Sequence, residues 1–75
     1  MSVKQKRIAL ARLSKYYGYN RGDIALALDV KLITVYKWFS AGQISKKGAV
    51  KAEIATNGEI KAIEFRPDVP DFKVS

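Results

Sequence analysis

"AVKAEIATNGEIKAIEFRP", residues 49–67, can be folded in two ways, and the choice sets the fold class. Asn57-Gly58 is a strong two-residue hairpin signal, because both residues accept the positive φ of a tight primed turn. Turned there, Val50 faces Phe65, Ala52 faces Ile63 and Lys51 faces Glu64. One side of that hairpin, made of Val50, Ala52, Ile54, Ile63 and Phe65, is nearly all apolar. In the helical reading, Ser45 caps a helix from Lys46 to Thr56, and Asn57-Gly58 stops it in a left-handed turn. A short helix from Glu59 to Phe65 then ends before Pro67. Val50 and Ile54 now share a face at spacing four. Periodicity alone leaves both foldings open.

Upstream the pattern is helical throughout. Residues 4–17, "KQKRIALARLSKYY", carry Ile8, Leu10, Ala11, Leu13 and Tyr17 at spacings of three and four, with basic residues opposite. Gly18 is a natural stop. Asn20 caps a second helix from Arg21 to Leu28, and Asp23 three residues on approximates a capping box. Gly22 costs that helix about 1 kcal/mol relative to alanine. A sharp turn at Asp29-Val30-Lys31 leads into a third helix from Leu32 to Ala41, ended by Gly42.

Ala25, Leu28, Val30, Val35 and Trp38 form one packing pattern. The small residue lets two helices approach, Val30 plugs the corner, and Val35 and Trp38 bury the second helix. That is the helix-turn-helix arrangement, in which two helices cross at roughly 90–120° around a short turn. Its first turn position requires a left-handed backbone, and Asp29 tolerates this better than most residues but less well than glycine.

The 75 residues suffice for one small domain, 1–75, with the helix-turn-helix at about 21–41 and a packing and dimerisation segment at 44–72. A hydrophobic content of 48% argues against a disordered tail. The absence of cysteine and histidine removes disulfides, thiolate chemistry, histidine acid–base work and almost all zinc sites. The carboxylates Asp23, Asp29, Glu53, Glu59 and Glu64 lack ligand spacing, so no catalytic residue, metal or cofactor is expected. The longest apolar run, Ile24 to Leu28, falls far short of the roughly 20 residues of a membrane span. Arg12 and Lys15 interrupt any signal-peptide core, and a cytoplasmic location is the expectation.

The net charge of +7 is unevenly spread: +6 over residues 1–21, +2 over 22–48 and −1 over 49–75. A positive field of this kind draws nucleic acid or anionic lipid and sets encounter rate and non-specific affinity.

Ile24-Ala25, Val30, Val35 and Lys37-Trp38, followed by Gly42-x-Ile44, resemble the small Cro-type repressors of lambdoid phages and the related YdaS-type prophage regulators. "AEIATNGEIKAIEFRPD" is similar to the tail of that group, which reads Glu-x-Ala-Thr-x-Gly, an aliphatic residue, then Leu-Arg-Pro-Asp. The resemblance covers about residues 18–70. It implies a lambda-repressor-like fold, a double-stranded DNA operator as partner, and a homodimer at least on that operator. The group has an all-helical form and a form whose tail is a β-hairpin entered soon after helix three. Here Ile44 to Gly48 intervene and look like a cap and first helical turn. An all-α domain of about five helices is therefore favoured. The alternative is an α+β fold with three helices and a hairpin turning at Asn57-Gly58.

A third helix laid in a major groove presents its N-terminal residues to base edges. These are Lys31, Leu32, Ile33, Tyr36 and Lys37. The two lysines donate to guanine O6/N7 or phosphate, Tyr36 bonds a phosphate or base edge, and Leu32 and Ile33 pack on thymine methyls. The bland alternative for Leu32 and Ile33 is that they cover the seam between helices one and three. Asn20, Arg21 and Thr34 lie where the backbone would pass, and Lys46 and Lys47 could clamp a flanking phosphate. Lys4, Lys6 and Arg7 fit diffuse electrostatics. Trp38 falls on the packing face, and Phe39 is a candidate subunit contact. Ile60, Ile63, Phe65 and Phe72 offer apolar area for a dimer surface. An excisionase-like accessory factor that bends DNA, and an adaptor whose basic face docks an acidic protein, are the competing functions. A cationic membrane-active toxin fits poorly, because Gly18, Gly22 and Gly42 interrupt the amphipathic stretches.

Overall fold

A computed structural model describes residues 2–73, and all their regular structure is helical. Five α-helices follow in order: α1 Ser2–Tyr16, α2 Arg21–Leu28, α3 Leu32–Ala41, α4 Lys46–Ala55 and α5 Ala62–Phe65, with a 3-10 turn at Pro70–Lys73. The chain is all-α. The hairpin alternative for residues 49–66 is not formed.

Local chemistry explains why the tail coils. The Ser45 hydroxyl accepts from the Gly48 N–H at 3.0 Å and starts α4. Asn57 and Gly58 take φ of 55° and 78° at its far end. The Gly58 N–H reaches back to the Glu53 carbonyl at 2.8 Å, so the dipeptide closes a helix instead of joining strands. Thr56 ties the knot: its buried hydroxyl donates to the Ala52 carbonyl at 2.9 Å and accepts from the Ile60 N–H at 3.2 Å. Each of these bonds joins residues no more than five apart in the chain, so little chain entropy opposes them.

The last helix starts at Ala62, three residues later than the expected Glu59. Glu59 and Ile60 are held by Thr56 instead, through its carbonyl and its hydroxyl. Two carboxylates then set the true start: Glu64 accepts from the Lys61 N–H at 2.8 Å, and Glu53 accepts from the Ala62 N–H at 2.7 Å.

The core contains Leu13, Ile24, Leu28, Val35, Ile44, Ile60 and Phe65, all fully buried, with Trp38 beside them. Helix α1 packs on α5, α2 packs on α3 and α4, and α5 packs on α4. The α1 face differs from expectation. On α1 the buried set is Lys6, Ala9, Leu10, Leu13 and Ser14, while Ile8 and Ala11 point outward. On α4 the small residues Gly48, Ala49 and Ala52 face the core, and Val50 and Ile54 face outward. At Gly48 the helix sits too close to Trp38 and Ile44 for any side chain.

Gly48 shows how close. A Cβ there would lie 2.7 Å from Cζ2 of Trp38 and 2.8 Å from Cγ1 of Ile44. Of the residues expected at a dimer surface, Ile60 and Phe65 are buried in the core, Phe72 is half-buried against it, and Ile63 is half-buried.

Lys6 does not supply diffuse charge. It is buried, donates to Gln43 Oε1 at 2.7 Å and pairs with Asp68 at 3.3 Å. Asp68 also accepts two bonds from the Arg66 guanidinium, whose Nη1 donates to the Ile44 carbonyl at 2.9 Å. This knot ties the tail to α1 and to the loop before α4. The Arg66 hydrogen bonds, assisted by Lys6, hold the Asp68 carboxyl well below the usual carboxylate range. The Arg7 guanidinium lies over Gly42. The side chain of Lys4 lies outside the described residues.

Two outcomes follow. Gly48→Ala gains helix propensity of about 1 kcal/mol but overpacks a rigid indole at a typical cost of 1–3 kcal/mol, so urea unfolding should show a net loss of roughly 1 kcal/mol. A carboxyl with a depressed folded pKa stabilises above its unfolded value near 3.9, and that contribution fades as pH falls through the folded one. Asp68→Asn should therefore lower the unfolding temperature at about pH 6 and have a clearly smaller effect towards about pH 2. Equal effects at both pH values would show that the charge on Asp68 does not carry the knot.

Candidate nucleic-acid interface

The helix-turn-helix is built from caps outward. The Asn20 side chain accepts from the Asp23 N–H at 3.0 Å and begins α2. The reciprocal half of a capping box is not formed, because the Asn20 N–H bonds to the Tyr17 carbonyl instead. At the other end Asp29 takes φ 56°, ψ 51°, the left-handed conformation the motif requires. The Val30 N–H then reaches the Ala25 carbonyl at 3.0 Å and folds Val30 against the core.

Lys31 occupies the N-cap of α3 in extended conformation with no side-chain cap. No acid sits in the first turn either. The first N–H groups of α3 are thus open to solvent with the positive end of the helix dipole behind them, a favourable setting for an anion.

Val35 and Trp38 hold α3 from behind. The opposite side is wet and partly apolar: Leu32 is 44% exposed, Ile33 58% and Tyr36 51%. Lys31 and Lys37 are exposed on the same helix end. All five residues expected at base edges are brought together outside the fold. Leu32 and Ile33 do not seal the seam between α1 and α3.

The flanking residues divide. Thr34 is half-buried and, with Lys37, Ala41, Gln43 and Ser45, lines a shallow groove of about 320 Å³ between α3 and the start of α4. This groove runs from the α3 face to Ser45, the residue before Lys46 and Lys47. Lys47 is exposed, whereas Lys46 is paired with Asp71 at 2.6 Å, which holds the Asp71 carboxyl below its ordinary value. Arg21 is half-buried, lies 3.9 Å above the Phe39 ring and donates weakly to Ser14 at 3.4 Å. Phe39 is therefore packed under a cation. Asn20 is exposed, but its carbonyl oxygen serves the cap.

Lys51 completes the exposed cations near this flank, one turn beyond Lys47 on α4. Its helical spacing from Lys47 was a sufficient signal, available once the tail is taken as a helix. Among the described residues no three acidic, histidine or cysteine side chains are grouped to hold a metal, and no helix is long and apolar enough to cross a membrane.

Comparison with protein-family models, with curated proteins and with solved structures gives no match.

Proposed function

We propose that the chain is a sequence-specific transcriptional repressor of phage or prophage type that blocks polymerase by occupying a double-stranded DNA operator. The carrying observation is the wet side of α3, where aliphatic, phenolic and ammonium groups stand together at the uncapped end of an anchored helix. Leu32 and Ile33 are left out of the core beside Tyr36 and two lysines, a mixture of apolar and cationic groups that suits a surface with both methyls and acceptors. The floor of a major groove offers both thymine methyls and the guanine acceptors that lysines seek, and it is about 12 Å wide, enough for a helix.

In this reading Lys31 and Lys37 donate to guanine or phosphate, Tyr36 bonds a base edge or phosphate, and Leu32 and Ile33 discriminate thymine by its methyl. Asn20, Arg21, Thr34, Lys46 and Lys47 position the backbone. Arg21 would leave its stack on Phe39, and Lys46 would exchange Asp71 for a phosphate. The resemblance to Cro-type repressors supports the same assignment, with two copies on one operator in the bacterial cytoplasm. No catalytic role is proposed for any residue.

Selection of bound duplexes from a random pool, followed by gel-shift titration, tests the proposal. Lys37→Ala should weaken binding to the selected site by about 1–3 kcal/mol if its contact is to a base. Leu32→Ala should relax preference at one thymine-bearing position with little change in salt dependence, since it removes no charge. Two variants that bind like the parent would remove α3 as the reader. No binding at low salt would remove DNA as the partner and favour a protein-docking adaptor.

A further inference from the structure

Two outward faces with apolar centres remain outside the core, and the proposed DNA surface shares only Lys47 with them. On α2, Asp23, Leu26 and Ala27 are exposed at spacings of three and four, with Asp29 exposed just beyond. On α4, Lys47, Val50, Lys51 and Ile54 are exposed at spacings of three, four and seven. Leu26 is 82% exposed, Ile54 71% and Val50 40%, so each face has an uncovered apolar centre.

The charges that α2 and α4 themselves place beside those centres are opposite in sign, with Asp71 reaching the α4 face only at its edge, on Lys46. The one cation of α2, Arg21, is turned onto the Phe39 ring. The one acid of α4, Glu53, is turned away to accept from the Ala62 N–H. What remains is an acidic–apolar face on α2 and a basic–apolar face on α4.

We propose that copies of this chain associate head to tail, with the α2 face of one copy against the α4 face of the next. The two self-pairings are disfavoured by charge. Two α4 faces would bring Lys47 and Lys51 against their images, and two α2 faces would oppose their aspartates. Only the mixed pairing sets lysines against aspartates and Leu26 against Val50 and Ile54. Such a contact is heterologous, so each copy keeps one unused face and further copies can add.

Helices of eight and ten residues are only about 12 and 15 Å long, so the contact is well below the roughly 1,200–2,000 Å² of a standard stable interface. Association is accordingly weak and appears at high concentration. It belongs to the free chain and does not depend on DNA binding.

Sedimentation equilibrium up to about 1 mM tests it, at roughly 0.15 M salt, where a Debye length near 8 Å screens the repulsion between +7 chains. The weight-average mass of the parent should rise above the 8.4 kDa of one chain as concentration increases. Leu26→Ser, and separately the double variant Val50→Ser/Ile54→Ser, should each lower the association constant at least about tenfold, as loss of a central apolar anchor does. All three sites are exposed, so circular dichroism should be unchanged. An equimolar mixture of the two variants retains one good α4 face and one good α2 face, and should form a 1:1 dimer and nothing larger. A parent that stays monomeric throughout overturns the proposal and leaves the two faces to other partners. Association of either variant alone at parental strength overturns it in favour of a self-paired face, and so does a mixture that fails to dimerise.

Discussion

Trp38 lying on Gly48 is the contact on which the other features depend. The indole needs a neighbour without a side chain, because a single added carbon would come within 2.7 Å of the ring. With that space, α4 draws close enough to close the core over Ile44, and α3 is fixed from behind by Trp38 and Val35. A buried tryptophan contributes on the order of 3–5 kcal/mol when judged by truncation to alanine. A core this small has a margin of similar size, so the orientation of α3 and the survival of the fold are one question.

That single anchoring decides what the surface can do. Because Val35 and Trp38 take the inner side of α3, Leu32, Ile33, Tyr36 and Lys37 are forced outward together. Because the small residues of α4 take its inner side, Val50 and Ile54 are forced outward as well. The same packing rule thus produces the face proposed for DNA and one of the two faces proposed for a second copy. The acidic end of the chain has a separate part. Asp68 secures Lys6 and Arg66, and Asp71 covers Lys46, so a region with little net charge restrains cations that would otherwise add to the positive field.

Much of this was legible in the chain. Helix boundaries at Arg21–Leu28 and Leu32–Ala41 followed from Asn20, Gly42 and the corner residue Val30, because caps and turns are local and their chemistry is short-range. The left-handed Asp29 followed from the motif. The tail was ambiguous because Asn57-Gly58 satisfies a hairpin and a helix end equally well, and the deciding bonds from Ser45 and Thr56 depend on which way the chain has already turned. The inner faces of α1 and α4 are less legible for one reason: hydrophobicity marks which residues prefer burial, not the room or the partners a position has. Gly48 is inside because no side chain fits there, and Lys6 is inside because Gln43 and Asp68, far along the chain, satisfy it. Such long-range pairings leave no periodic trace.

The central claim is that α3, bedded on Trp38, meets duplex DNA with its outer face and without rearrangement of the core. An NMR titration of ¹⁵N-labelled protein with a selected duplex tests it most directly. Amide shifts should concentrate at residues 20–22 and 31–37, while the indole N–H of the single tryptophan stays where it was. Shifts centred on α1 or α5 with residues 31–37 unmoved, or a displaced indole, would contradict it.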